Sequence, residues 1–131
     1  MAMLTDNARG LFDAPNLVWA TTQRPDGSAH STVVWADVDG DDVRFNTAQH
    51  RVKAKHLRSN PQVSLSVLDP EQGFHWASVS GTAEITPEGA DAHIDSLAKK
   101  YLGVDEYPFR NAEETRVIVR VKITDVLDSN G

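Results

Sequence analysis

Two tight turns constrain this chain more than any other feature. Pro25-Asp26-Gly27 and Asp39-Gly40-Asp41 punctuate three consecutive runs rich in β-formers: 16–23 (NLVWATTQ), 28–38 (SAHSTVVWADV) and 42–47 (DVRFNT). Gly supplies the positive φ that such turns need, and a connection this short leaves its flanking strands antiparallel. Parallel strands instead need crossovers of a dozen residues or more. The opening of the chain therefore predicts an antiparallel sheet or barrel and excludes a parallel doubly wound one.

The rest of the sequence fits that frame. Residues 3–13 place Leu4, Ala8, Leu11 and Phe12 at helical spacing, and Pro15 closes the segment. Residues 49–59 (QHRVKAKHLRS) are helical in composition and end at Asn60-Pro61. Val63, Leu65 and Val67 alternate with polar neighbours along 62–68, the period of a half-buried strand. A longer strand spans 74–85, where Gly81 predicts a bulge. Thr86 and Pro87 read as the cap and first residue of a helix over 88–102, with Ala92, Leu97, Ala98 and Tyr101 on its core face and Gly103 closing it. A loop over 104–112 leads to a last strand, 114–127. The expectation is a mainly β (α+β) fold of about six strands and two to three packed helices, in a single domain over 1–131.

Charge is unevenly spread. The chain carries −6 overall, which argues against general nucleic-acid binding. Residues 43–68 nevertheless hold five of the thirteen cations (Arg44, Arg51, Lys53, Lys55 and Arg58) and none of the nineteen acids. That segment is +5 and the remainder −11. There is no cysteine, which excludes disulfides, thiolate metal sites and cysteine nucleophiles. No apolar run is long enough to span a bilayer and no signal peptide is visible, so a cytoplasmic protein without a membrane partner is expected.

Motifs for phosphate loops, dinucleotide folds, serine hydrolases and zinc proteases are absent. His30 and His75 fall on expected strands and read as strand-face residues, with no metal site assigned. The segment Thr47-Ala48-Gln49-His50-Arg51-Val52-Lys53 stands out, because it lies where a strand gives way to a helix. A helix start offers unpaired N–H groups and a positive dipole end, both suited to phosphate. Arg51 adds a planar fork and Lys53 a point charge. The competing reading is a solvated basic helix face, since Arg51, Lys55 and Arg58 recur at i, i+4 and i+7. Trp19, Trp35 and Trp76 read first as core, although Trp35 near a sheet edge would serve as a platform for a planar ring. Lys99-Lys100 reads either as a second anion contact or as cations favoured at a helix C-terminus.

Four segments, in order, resemble the split β-barrel flavin and deazaflavin oxidoreductases, the pyridoxamine-phosphate-oxidase-like superfamily. They are the early hairpins, the element Thr47-x-x-x-Arg51-x-Lys53-x-x-x-Leu57 leading into QVSLSV, the strand VSGTAEI, and KKYLGVDEYPFR followed by TRVIVRVKITDVL. The resemblance covers nearly the whole chain. It implies a six-stranded antiparallel split β-barrel of the FMN-binding type, and a homodimer with the cofactor at the subunit interface. It also implies that Thr47, Arg51 and Lys53 hold the cofactor phosphate, that Thr32, Val33, Val34 and Trp35 line the ring, and that His75 and Trp76 approach from the partner subunit.

In such enzymes the bound ring carries the hydride, so no catalytic side chain is expected. Lys55 and Arg58 exceed what one phosphate needs and suit the polyanionic tail of coenzyme F420. The Leu102-Gly103 and Tyr107-Pro108 loop also looks closer to the deazaflavin branch, while Val34 stands where that branch often has Pro. The expected activity is hydride transfer between F420 and a small unsaturated or conjugated acceptor. The alternatives are FMN in the same barrel, a cofactor carrier without turnover, and a basic interaction module.

Overall fold

Trp35 breaks the expected second strand in two and so closes the barrel. In a computed structural model that describes residues 3–130, the chain runs α1 (Asp6–Asp13), β1 (Val18–Gln23), β2 (Ala29–Val34), β3 (Ala36–Asp39), β4 (Asp42–Ala48), α2 (Val52–Ser59), β5 (Gln62–Leu68), β6 (Trp76–Thr86), α3 (Ala90–Leu102) and β7 (Arg116–Asp128). The strand order is β2-β1-β5-β6-β7-β4-β3, antiparallel throughout. β2 and β3 thus sit at opposite ends of the sheet although one residue separates them. Val34 pairs with Val18 of β1, and Ala36 pairs with Phe45 of β4. One bent strand joins both ends of the sheet. The six expected runs all form, and the bend raises the strand count to seven.

Alternation fills the interior. Val18 and Ala20 of β1, Val43 and Phe45 of β4, Val63, Leu65 and Val67 of β5, and Val119 and Val121 of β7 are all buried in one cluster. Each such valine or leucine contributes roughly 1.5–3 kcal/mol relative to exposure. Leu4, Ala8, Leu11 and Phe12 join the same cluster from the N-terminal segment. Thr5 caps α1, its hydroxyl accepting from the Ala8 N–H at 3.0 Å. The bulge expected at Gly81 is present as a register shift between Ser80 and Gly81.

Two helix details differ from expectation. α3 starts at Ala90, with Gly89 in the left-handed conformation (φ 77°) as its cap, rather than at Thr86-Pro87. The Thr86 hydroxyl instead bonds Glu88 within the preceding turn. Ala92 is exposed, and the buried face is His93, Ile94, Leu97 and Ala98. Gly103 (φ 74°) does close the helix, its N–H donating to the Lys99 carbonyl.

Tyr101 and Lys100 tie α3 to the bend. The Tyr101 hydroxyl accepts from the Ala36 N–H at 3.1 Å and donates to the Asn16 carbonyl at 2.7 Å. Lys100 Nζ donates to the carbonyls of Phe12 and Ala36 at 2.8 and 2.5 Å. Lys100 is therefore an internal clamp and not a second anion contact.

Candidate functional site

A cleft of about 230 Å³ opens where β4 hands over to α2. The chain turns here through two backbone bonds, Gln49 N–H to the Thr115 carbonyl at 2.7 Å and Arg51 N–H to the Ala48 carbonyl at 3.0 Å. Arg51 becomes the N-cap of α2, with no side-chain bond capping the helix. Its guanidinium, half-buried Lys53 and Thr47 line the cleft. Val33, Val34 and Trp35 form the facing wall at the barrel bend. The expected strand-to-helix element and the expected ring platform thus meet in one place.

Trp35 is half-buried rather than free-standing. Its indole stacks on Tyr101 with centroids 5.3 Å apart and planes 10° from parallel. Tyr107 meets it edge-on at 6.1 Å, and Phe109 meets Tyr107 edge-on at 5.6 Å. Asp95 fixes this aromatic loop by accepting from the Tyr107 N–H at 2.9 Å and from Arg110 at 2.5 Å. The wall is therefore preorganised, which favours a flat apolar ligand over a flexible one.

Arg116 is the cation that sequence reasoning missed. It opens β7 opposite Ala48 and lines the same cleft, its guanidinium carbon 5.3 Å from the Tyr107 ring centre. Burial pulls the Lys53 pKa below the usual lysine value, and the charges of Arg51 and Arg116 push it the same way. Among the described residues neither Arg51 nor Lys53 forms an ion pair, and Arg116 has only Glu114 at 3.7 Å. The neighbouring guanidinium charges oppose protonation of Lys53, and an anion placed among the three cations offsets that opposition. The lining residues include no Asp, Glu or His. The cleft can hold a phosphate-bearing planar group, and it offers no carboxylate or imidazole for acid–base work.

Other expected site residues lie elsewhere. Thr32 alternates with Val33 and faces inward, its hydroxyl buried without a partner. Lys55 is exposed on the outer face of α2 and does not line the cleft. Arg58 donates to the Gln49 carbonyl, and Arg44 is held by Asp37. His75 lies just ahead of β6, 3.2 Å from Asp69 and bonded to Asn7. Trp76 lines a second, apolar cavity of about 650 Å³ with Leu17, Trp19, Leu68 and Pro70. Trp19 is 54% exposed there rather than core.

Comparison with known proteins agrees with this architecture. The family model described as "Pyridoxamine 5'-phosphate oxidase" matches residues 4–130. A solved structure named F420 reductase is 30% identical, covers 95% of this chain and 98% of its own, and superposes with a TM-score of 0.83. A conserved hypothetical protein from Mycobacterium tuberculosis is 25% identical over 98% of this chain and 85% of its own, with a TM-score of 0.73. General Stress Protein 26 from Bacillus anthracis shares the fold at 15% identity, covering 94% of this chain and 91% of its own, TM-score 0.69. With its barrel closed at Trp35 and its cations gathered after β4, the chain belongs to the pyridoxamine 5'-phosphate oxidase family.

Proposed function

We propose that the protein is an oxidoreductase that binds coenzyme F420 in the cleft and passes a hydride between its ring and a small unsaturated or conjugated acceptor. The observation that carries this reading is the convergence of Arg51, Lys53 and Arg116 beside the Val33–Trp35 wall. The likeness to a structure named F420 reductase favours the deazaflavin. Arg51, Lys53 and Thr47 hold the phosphate, with the uncapped start of α2 adding N–H groups. Val33, Val34 and Trp35 orient the ring, and Tyr107 and Phe109 exclude water from it. The ring, when bound, supplies the hydride chemistry. FMN in the same cleft is the second reading, because the three cleft cations suffice for one phosphate and Lys55 and Arg58 stand outside it.

The reading includes a homodimer. Val33 lines the cleft, and its direct cross-strand partner Trp19 lines the apolar cavity. Leu17 and Leu68 lie beside Trp19, and all three are more than half exposed. The apolar face and the cleft are continuous, so a second copy seated on that face reaches the ring. His75 and Trp76 of that copy are the residues nearest to hand in this reading.

Titration of the purified protein with F420 and with FMN, followed by absorbance and ring fluorescence, tests the proposal. Micromolar binding of F420, then oxidation of the reduced cofactor by an enone or quinone panel, is the expected result. Binding of neither cofactor sinks it. Binding without turnover across the panel makes the protein a carrier.

A further inference from the structure

Arg116 reaches the cleft through a chain of hydrogen bonds whose every donor can be assigned. Phe45 faces the barrel core, and the next residue, buried Asn46, faces α3. Arg116 Nε lies 2.8 Å from one end of the Asn46 amide, and an arginine nitrogen only donates, so that end is Oδ1. The other end lies 2.9 Å from the Ala90 carbonyl, which only accepts, so that end is Nδ2. Two independent partners thus fix the amide. The same Nδ2 lies 3.1 Å from Nδ1 of His93. That ring nitrogen must accept and carries no proton. The proton sits on Nε2, 3.2 Å from Asp37 Oδ2, and Arg44 holds Asp37 from its other side.

We propose that His93 is a positioning residue for the cleft: as its Nε2–H tautomer it locks the Asn46 amide, and that amide aims Arg116 at the anion bound by Arg51 and Lys53. The His93 side chain is 2% exposed and touches no cleft surface, so it acts only through Asn46. Packing alone calls for an apolar residue on this face of α3. An imidazole that meets a carboxylate with one nitrogen and the cleft amide with the other does more than fill space. Protonation at Nδ1 sets a ring N–H against the amide NH₂. The amide must then turn, losing Ala90 and presenting NH₂ to Arg116 Nε, or move away. The charged groups facing His93 are Asp37 on β3, which Arg44 on β4 holds, and, through the Asn46 amide, Arg116 on β7. The ligand named for Arg116 rests on the cleft reading above, whereas the tautomer and its coupling to Arg116 do not.

The test uses the full-length ¹⁵N-labelled protein. Long-range proton–nitrogen spectra report the His93 tautomer, and the Arg116 Nε–H resonance reports its bond to Asn46. Inorganic phosphate and FMN are the anion probes. The expected results are an Nε2–H tautomer and an Arg116 resonance that shifts with the same midpoint as His93 when pH is lowered. His93→Leu should lose the protected Arg116 signal and bind FMN about tenfold more weakly. His93→Asn, which restores an acceptor near Nδ1, should recover both and show no pH step. An Nδ1–H tautomer, or an Arg116 resonance indifferent to His93 titration, overturns the proposal even if His93→Leu does not fold. If F420 as well as phosphate and FMN fails to bind while Arg116 still follows His93, the positioning role stands and the anion reading of the cleft falls.

Discussion

Asp37 and Arg44 face each other directly across β3 and β4, joined by two parallel N–H···O bonds of 2.9 and 2.7 Å. Burial resists ionisation of Asp37, but hydrogen bonds donated by His93 and Arg44, with the charge of the Arg44 guanidinium, overcome it and hold its carboxyl at about 2. Unfolded aspartate titrates near 4. The lowered value stabilises the fold fully above about pH 4, and that stabilisation is lost as pH falls towards about 2. Urea unfolding across this window should show a fall of about 2 kcal/mol from this group. Asp37→Asn should lose about 2–3 kcal/mol at neutral pH, because it removes the charge that the half-buried Arg44 guanidinium meets at 2.7 Å and leaves it only the more exposed Asp39 at 3.9 Å, and should flatten the acid slope. An unchanged slope would mean that other carboxylates govern acid unfolding.

Gly81 is fixed by contact rather than by φ. A Cβ there would run into the carbonyl oxygen of Lys122 and lie 2.8 Å from its carbonyl carbon, both rigid backbone. Gly81→Ala should therefore shift the β6–β7 ladder and destabilise the protein by about 2 kcal/mol or more. Thermal unfolding checks this. A variant as stable as the parent would show that the bulge relaxes freely.

Lys53→Ala should weaken cofactor binding by about 1–3 kcal/mol, the scale of a lost charge-assisted bond. Calorimetric titration with F420 or FMN measures it. Lys55→Ala supplies the contrast, since Lys55 stands outside the cleft, and its affinity should change only with tail length and at low salt. Equal losses from both variants would place the phosphate on the outer face of α2.

The apolar face over Trp19 and Leu68 makes the assembly testable without any cofactor. Trp19→Glu with Leu68→Glu should turn a dimer into a monomer in sedimentation velocity, with far-UV dichroism unchanged. A parent that sediments as a monomer at all concentrations would falsify the interface.

Much of the fold was legible because its signals are local. The alternation of Val63, Leu65 and Val67, the glycine turns and the Gly103 cap each act over a few residues. The hairpin at Asp39-Gly40-Asp41 was legible too, and the register it sets brings Asp37 opposite Arg44. The bend at Trp35 was not, because the two ladders that pull it apart are formed with Val18 and Phe45, partners distant in the chain. In the site, Thr47, Arg51 and Lys53 announced themselves as a strand-to-helix cluster. Asn46, His93 and Arg116 did not, since each is an ordinary residue of its own element and gains meaning only where three elements meet. Thr32 shares the inward face of β2 with Val34 but stands one pair farther from the bend and does not line the cleft.

The closure at Trp35 bears on how this protein can change over evolutionary time. A hoop fastened at a single bend passes any change of girth to that bend. Residues such as Phe45 and Val18 set the girth, and the bend is one wall of the cleft. Repacking the interior by a methylene therefore alters the width of that cleft. Under the proposed reading, selectivity between F420 and FMN drifts through core substitutions that never line the cleft.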